Sequence, residues 1–370
     1  MANKAYKYYS EPTEQQEILI NKTMGCSRFI YNKMLEDRDK YYKTTGTGLY
    51  ITPASYKTDY PFLKEVDSLA LCNAQLNLDK SYSNFFKKKS KFPKFKKKGK
   101  HDKYTTNNQK TTKGYTIEII GDFIKLPKIG LLKITQHRPM SAGEQIKNVT
   151  ISKQAGKYYV SVNVAYDEKV TFIDKTTIGL DKTIGLDYSS PHLYVDSNGK
   201  QCDNNRFYKT SQQKLAKEQR KLSKKKPKSK NRNKQKLKVQ KVHCKIANQR
   251  LDFAHKESNT ITNCYDIIGV ESINLNAIKR ALKLGKNTSD NGFGMLRTFL
   301  EYKALKKGKY LIKVDKYFPS SKMCNSCGNI NKAVVLGVQT WTCPICGINH
   351  NRDLNAAINI KKEAYRLAML

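Results

Sequence analysis

Acidic residues are scarce in this sequence. Only 31 Asp and Glu stand against 70 Lys and Arg in 370 residues, a formal charge of +39. No ordinary metabolic enzyme needs that imbalance, so a polyanionic partner is expected, either nucleic acid or an acidic membrane surface. Long hydrophobic runs are missing as well. No stretch approaches ~18 consecutive apolar residues, which excludes a transmembrane helix. The opening residues MANKAYKYYSEPTEQQE have no apolar core of the kind a secretory signal carries, so a cytoplasmic protein is expected. In that compartment the nine cysteines are not expected to form disulfides. With only six histidines, no paired-His motif is visible.

The charge that is present is concentrated. Residues 87–103 hold ten Lys and one acid, and residues 209–250 hold seventeen Lys and Arg and one acid, Glu218. These two runs carry 25 of the 39 net charges. One short basic run would read as a solvated segment. Two long runs, with Phe92 and Phe95 interleaved in the first and helical apolar spacing in the second, favour nucleic acid. Candidate contacts are Lys94, Lys96 and Lys97 in the first run and Arg220, Lys224, Lys225 and Arg232 in the second.

The texture of the chain changes several times. KAYKYY reads as a short strand. Thr13 and Gln16 fit a capping box ahead of a helix through Ile18, Leu19, Met24, Phe29, Ile30 and Met34. A second helix fits residues 67–89. After residue 104, TIEII, DFIKLP, LLKIT, KNVTIS and KYYVSVNVAY are alternating or β-branched, which predicts about five short strands in a small barrel that KAYKYY can join. From residue 176 onward a meander is followed by two basic helices, the strand YDIIGVES, the helix FGMLRTFLEYKALKKG, the strand YLIKVD and a final helix NRDLNAAINIKKEAYRLA. Strands followed by alternating strands and helices suit a mixed α/β nuclease-like layer fold.

Two motifs carry chemistry. Cys324-x-x-Cys327 and Cys343-x-x-Cys346 are fifteen residues apart, and each pair is followed by Gly. Four thiolates at this spacing suit a structural zinc ion with no open coordination position. The other cysteines, at positions 26, 72, 202, 244 and 264, lack ligand spacing and read as small apolar residues. The second motif is dispersed. Asp187 or Asp181 ends a short apolar run, Glu271 ends the strand YDIIGVE, and Asp353 opens the last helix. Alone, Asp353 would merely complement a helix dipole. Together, three carboxylates at element edges suit a pair of Mg²⁺ ions about 4 Å apart.

GLDYSSPHLYVDSNG, IGVESIN, YFPSSKMCNSCG and WTCPICGINHNRDLNAAINI, in this order, resemble the TnpB family, proteins carried by small bacterial insertion sequences and similar to type V CRISPR effectors. RFIYNKML, FPKFKKK, YTTNNQ, IKLPKIG, QRKLSKKK, KIANQRLDFAHK and FLEYKA extend the resemblance over nearly the whole chain. It implies a multidomain α+β protein: a wedge β-barrel over residues 1–13 and 100–172, a helical recognition module over 14–99, an RNase H-like (RuvC-type) nuclease domain over 173–320 and 348–370, and a zinc ribbon insertion over 321–347. It implies an RNA-guided, Mg²⁺-dependent endonuclease that cuts double-stranded DNA beside a short flanking motif, with one protein per transposon-derived guide RNA. The triad then falls on Asp187, Glu271 and Asp353, and zinc on Cys324, Cys327, Cys343 and Cys346. Tyr104, Thr105, Thr106 and Asn107 become candidates for reading the flanking motif. Arg352 and His350 flank Asp353 and are candidates for holding phosphate. Three alternatives remain: a guided regulator without nuclease activity, a strand-transfer transposase, for which a paired-His motif would be expected, and a plain RNA-binding protein, for which metal-dependent cutting would be absent.

The five residues TIGLD occur twice, ending on Asp181 and on Asp187. Both cannot serve one metal cluster, because six residues of strand span about 20 Å. Asp187 is the expected ligand, because the segment after it supplies the next strand of a meander and no turn fits after Asp181.

Overall fold

The computed structural model describes residues 2–100, 102–112, 114–189, 191–273, 290–335 and 337–370. It divides into two compact units, Met1–Glu168 and Lys169–Leu370.

The first unit is built on a seven-stranded antiparallel sheet. Its strands are β1 (Ala2–Glu11), β2 (Lys103–Asn107), β5 (Glu118–Ile120), β6 (Phe123–Leu126), β7 (Gly130–Thr135), β8 (Gln145–Gln154) and β9 (Lys157–Tyr166), in the order β2-β8-β9-β1-β7-β6-β5. A separate ribbon pairs β3 (Lys110–Thr111) with β4 (Gly114–Tyr115). KAYKYY does join the sheet. Tyr6 and Tyr8 alternate with exposed Ala5 and Lys7 and face the core with Val149, Val160 and Val162. The β8–β9 hairpin turns on Ala155 and Gly156, both at positive φ, the geometry a two-residue loop needs. The expected barrel does not close: β2 and β5 are the two edges, and helices pack against β2 instead. Those helices are α1 (Glu14–Thr45) and α3 (Ser68–Phe86), with a short α2 (Tyr56–Asp59) in their connection. The Thr13–Gln16 capping box starts α1, each side chain accepting from the other's backbone N–H. Ile30, Met34, Leu71 and Leu78 form the core between the two long helices.

The second unit contains a five-stranded sheet in the order β12-β11-β10-β13-β14. Its strands are β10 (Thr183–Tyr188), β11 (Tyr194–Asp196), β12 (Gln201–Cys202), β13 (Ile267–Glu271) and β14 (Tyr310–Val314). β10, β11 and β12 form an antiparallel meander, whereas β13 and β14 run parallel to β10. The segments between the parallel strands include α4 (Phe207–Ser223), α5 (Lys230–Cys264) and α6 (Phe293–Lys306). The last helix, α7 (Arg352–Met369), follows a small hairpin of β15 (Thr340–Thr342) and β16 (Asn349–Asn351).

Strand periodicity divides the sheet's two faces. Ile184, Leu186, Ile268 and Val270 point into one core with Ile261, Phe293, Leu296 and Leu300. The alternate residues face α7, where Ile267 packs on Ile360 and Ala364. Gly185 and Gly269 lie on that face, and α7 comes against them. A Cβ on Gly185 would sit 2.1 Å from the Ala357 carbonyl oxygen, and one on Gly269 would sit 2.6 Å from Ala364 Cβ.

The duplicated TIGLD is resolved here. Only the second copy is strand. The first forms 3₁₀ turns at Lys175–Thr177 and Leu180–Lys182, with Leu180 and Asp181 exposed. A Cβ on Gly179 would meet the side chain of Asp181 and no other residue's. Gly185→Ala should therefore cost about 3 kcal/mol, because its obstacle is helix backbone, while Gly179→Ala should stay within about 0.5 kcal/mol. Thermal unfolding of the two variants checks this; equal melting temperatures would contradict it.

Candidate active site

Asp187, Glu271 and Asp353 lie in one neighbourhood where β10, β13 and α7 end or begin, near enough for the last two to act electrostatically on the first. Asp187 and Glu271 each lie two residues beyond the glycine that admits α7, in the repeated pattern Gly-x-acid. Two residues of strand keep the side chain on the same face, so both carboxylates emerge on the α7 side. The parallel register aligns them: Leu186 pairs with Val270, which sets Asp187 beside Glu271. Asp353 comes from α7 itself, four residues before Ala357. One helical turn of about 6 Å matches the about 6.6 Å advance from Gly185 to Asp187.

The electrostatics show the convergence. Asp187 is buried, and its carboxyl is pushed well above the usual range by desolvation first, then by the charges of Glu271 and Asp353; Arg352 acts the other way. Burial also raises Glu271. Ser189 Oγ donates to Asp353 Oδ2 at 3.5 Å. Asn351 caps α7 by accepting from the N–H groups of Asp353 and Leu354, which fixes the first turn. Negative charge therefore accumulates with little cationic compensation; carboxylate oxygens are the donor type that hard divalent cations take, although the ligand atoms of these three do not all lie within 4.8 Å of one another. Asp181 is exposed, before the opposite end of β10.

The four cysteines also come together, with ligand atoms within 4.8 Å of one another. Cys324 and Cys346 sulfurs are 3.6 Å apart, as are those of Cys327 and Cys343. Tetrahedral Zn–S bonds would give about 3.8 Å. The two loops repeat one hydrogen-bond pattern. Cys324 N–H donates to Asn329 O and Gly328 N–H to Cys324 O; Cys343 N–H donates to Ile348 O and Gly347 N–H to Cys343 O. Gly328 and Gly347 have φ of 74° and 70° with open space around them, so backbone conformation is what requires glycine. The Cys346 backbone N–H, with that of Ile345, holds the Cys343 thiol down at about 6. The cluster thus fits a zinc ion.

A polar relay joins this cluster to α7. His350 Nε2 lies 3.1 Å from Cys324 Sγ, and its other ring nitrogen is 3.4 Å from the Asn325 amide. Asn325 N–H and its side-chain amide donate to Asn355 Oδ1 at 3.0 Å. Asn355 and Asn359, one turn apart and fully buried, both donate to the carbonyls of Ser320 and Met323. The sequence pattern Asn-x-x-x-Asn on a helix was the available signal for these two residues. His350 is buried beside the cysteine cluster, its ring tilted against Trp341 at 4.7 Å.

The expected nucleic-acid contacts divide. Lys94, Lys97, Arg220, Lys224 and Lys225 are exposed. Arg232 instead caps α4, donating to the carbonyls of Leu222 and Lys225. Lys96 is half-buried above the Tyr31 ring, and desolvation holds its pKa down at about 8. Tyr104 and Thr106 are buried on β2, Tyr104 lining a recess beside the strand; Asn107 is half-buried at the strand's end. That recess, of about 80 Å³, is lined by Tyr104, Thr105 and Lys103 of β2, with Lys96, Arg28, Asn73 and Asn77. Of the remaining cysteines, Cys26 and Cys202 are buried as expected, but Cys72 and Cys264 are exposed on helices. Among the described residues, no helix is long and apolar enough to cross a membrane.

Comparison with known proteins places these features. Three family models match: "Helix-turn-helix domain" of the IS605 OrfB type over residues 1–47, "Probable transposase" over 163–282, and "Cas12f1-like, TNB domain" over 293–360. Residues 2–47 fold as one strand and one long helix rather than a helix-turn-helix. The chain is 32% identical to a "Putative RNA-guided DNA endonuclease" of Streptomyces pristinaespiralis, over 96% of this chain and 88% of that one. It is 28% identical to the "Putative RNA-guided DNA endonuclease InsQ" of Escherichia coli K12, over 96% and 91%. Its fold is similar to Cas12f1 in a cryo-EM complex with sgRNA and target DNA, at a TM-score of 0.60 and 16% identity, over 94% of this chain and 83% of that one.

The raised Asp187 group carries a stability signature. Its folded pKa lies above the unfolded value of ~4, so the folded state retains a proton that the unfolded chain releases. Its contribution is present at low pH and lost as pH rises through the folded value. Without added divalent cation, Asp187→Asn should melt higher than the parent at neutral pH, with the gap closing toward pH ~4. Calorimetry across that range tests it; a gap that widens at low pH would contradict the assignment.

Proposed function

The chain belongs to the TnpB-related family of RNA-guided DNA endonucleases that accompany IS605-type insertion sequences, and from that premise we propose that it is a guide-RNA-directed nuclease that hydrolyses target DNA at Asp187, Glu271 and Asp353. The observation that carries the site assignment is the convergence of these carboxylates on the α7 face, expressed in the raised proton affinity of Asp187. The sheet order and the helices on both faces support reading the second unit as an RNase H-like, RuvC-type nuclease domain. The cysteine loops support a structural zinc ribbon inserted before α7. The open sheet and the α1–α3 pair fit the wedge and recognition roles.

Asp187, Glu271 and Asp353 are the groups that would hold two Mg²⁺ ions, which when bound supply an activated water and charge stabilisation for the leaving oxygen. The chain's own residues set the conditions. Desolvation at Asp187 strengthens its interaction with a cation, and Ser189 orients the Asp353 carboxylate. Arg352 supplies positive charge beside the site for a phosphate. The zinc loops hold the start of α7 through Asn325 and Asn355, so Asp353 keeps its place as nucleic acid enters.

RNA occupies the exposed basic surfaces, chiefly the α4–α5 hairpin and the lysines around Phe92. Guide pairing then reads the target sequence, and the protein reads the flanking duplex. The recess beside β2 is the place for that reading: Asn73, Asn77 and Thr105 offer base-edge partners, and Arg28 and Lys103 offer phosphate partners. A nuclease-free regulator is disfavoured by the intact triad.

The protein should be purified from cells carrying its flanking DNA and its RNA sequenced. One dominant RNA with a constant scaffold and a variable end is expected; a heterogeneous mixture would overturn guided recognition. With that RNA, Asp187→Ala should abolish target cleavage and Asp181→Ala should retain most of it, both binding RNA normally. Equal loss in the two variants would refute the site assignment. Zinc released on denaturation should persist in Asp187→Ala and be lost in Cys343→Ser; zinc retained in Cys343→Ser would overturn the cysteine site.

A further inference from the structure

The first unit contains a second recess, larger than the one beside β2 and of different chemistry. It encloses about 660 Å³ between the C-terminal half of α1, the loop after it, and the end of α3. That is the size of a small-molecule site. Tyr42, Tyr50, Tyr82, Phe85, Phe86 and Phe92 contribute rings to its wall. Several of these are exposed: Tyr50 is 96% accessible, Phe86 74% and Tyr42 62%. Exposed rings scattered singly need no explanation, but here they share one concavity.

The walls are set in place by ring packing. Tyr82 stacks on Phe86 at 6.2 Å, and Phe92 meets Tyr82 and Phe85 edge-on at 5.8 and 5.4 Å. The Tyr50 ring lies against Gly48, where a Cβ would come within 3.5 Å of it. The floor is polar. Arg38 donates to Asp79 at 2.6 Å, yet its Nε is buried with no partner. Gln75 lies at the same recess. One cavity therefore offers flat π-surfaces, a guanidinium donor, a carboxylate and an amide.

We propose that this recess is a stacking site for an unpaired nucleobase of the bound RNA. The inference rests on the RNA-guided reading above. A nucleobase has the two things the cavity matches, a π-face for the rings and a polar edge for Arg38, Asp79 and Gln75. A lipid or an apolar peptide would bury the Arg38–Asp79 pair without answering it. Charge agrees. Between Phe86 and Phe92 the chain reads KKKSK, and Lys87, Lys88, Lys89 and Lys91 are all exposed, placed for the phosphates on either side of a stacked base. The base must be unpaired, because a paired one has its edge occupied and both faces stacked. The source is RNA rather than DNA for a physical reason. Target DNA is present only transiently, and the rings would otherwise stand in water. A resident RNA keeps them covered.

Ultraviolet cross-linking of the purified protein–RNA complex, followed by peptide mass mapping, tests the proposal without any substitution. Nucleotide adducts are expected on peptides bearing Tyr42, Tyr50 or Phe86. The double variant Tyr42→Leu/Phe86→Leu should lose them and bind the co-purifying RNA roughly tenfold more weakly. Its salt dependence should be unchanged, because no charge has been removed. A melting temperature close to the parent's confirms that the variant is folded. Adducts confined to α4 and α5, with parental affinity in the variant, would overturn the proposal while leaving guided recognition standing. Adducts that appear only from target DNA would overturn it too. If no RNA co-purifies at all, the functional reading fails and this site with it.

Discussion

The candidate nuclease site depends on how closely α7 approaches the sheet. Helix and sheet commonly keep a layer of side chains between them. Here Gly185 and Gly269 remove that layer at two neighbouring strands; α7 backbone occupies the space at Gly185 and the Ala364 methyl the space at Gly269. The consequence is electrostatic as much as steric. Asp187 and Glu271, two residues further along, lie on the face of the sheet that α7 covers, and Asp353 is in the first turn of that helix. Burial first, and then the charges of Glu271 and Asp353, raise the proton affinity of Asp187, which costs stability at neutral pH in the protein alone. The packing on both faces of the sheet holds them there, an arrangement in which function sets the geometry and the core offsets its cost.

The cysteine cluster belongs to the same device. It lies outside the sheet, but its hydrogen bonds run through Asn325 to Asn355 and thus to the buried face of α7. Asn355 and Asn359 satisfy the Ser320 and Met323 carbonyls, which would otherwise be orphaned beside the helix. A metal in the cysteine loops would make this anchor rigid at small cost in chain length. Glycine at positive φ in each loop and glycine without room for a Cβ in each strand solve two different problems with the same residue.

Charge is arranged around these cores rather than within them. The α4–α5 hairpin has its own small core of Leu215, Val239, Val242 and Ile246, and Arg232 is consumed in capping. The exposed lysines along its surface remain for a polyanion. In the first unit, lysines continue directly from the aromatic end of α3, so stacking surfaces and phosphate-binding charge are adjacent there.

Much of this was legible in the sequence. The capping box at Thr13, the helical spacing of α1 and α3, the alternation in β1 and β9, and the paired CxxCG motifs are local patterns, and local physics decides them. Asp187 was separable from Asp181 because a turn and a strand follow only the second copy. Other features depend on residues far apart in the chain. Burial of Tyr104 and Thr106 follows from which face of β2 meets the core. The diversion of Arg232 and His350 follows from the partners that folding brings to them. The open sheet in place of a barrel follows from helices packing against β2. The sequence by itself determined the elements, the chemistry of the ligands and the sign of the partner's charge. Only the tertiary structure decided which polar side chains are spent on the fold and which remain for nucleic acid, because that depends on the neighbours each side chain meets.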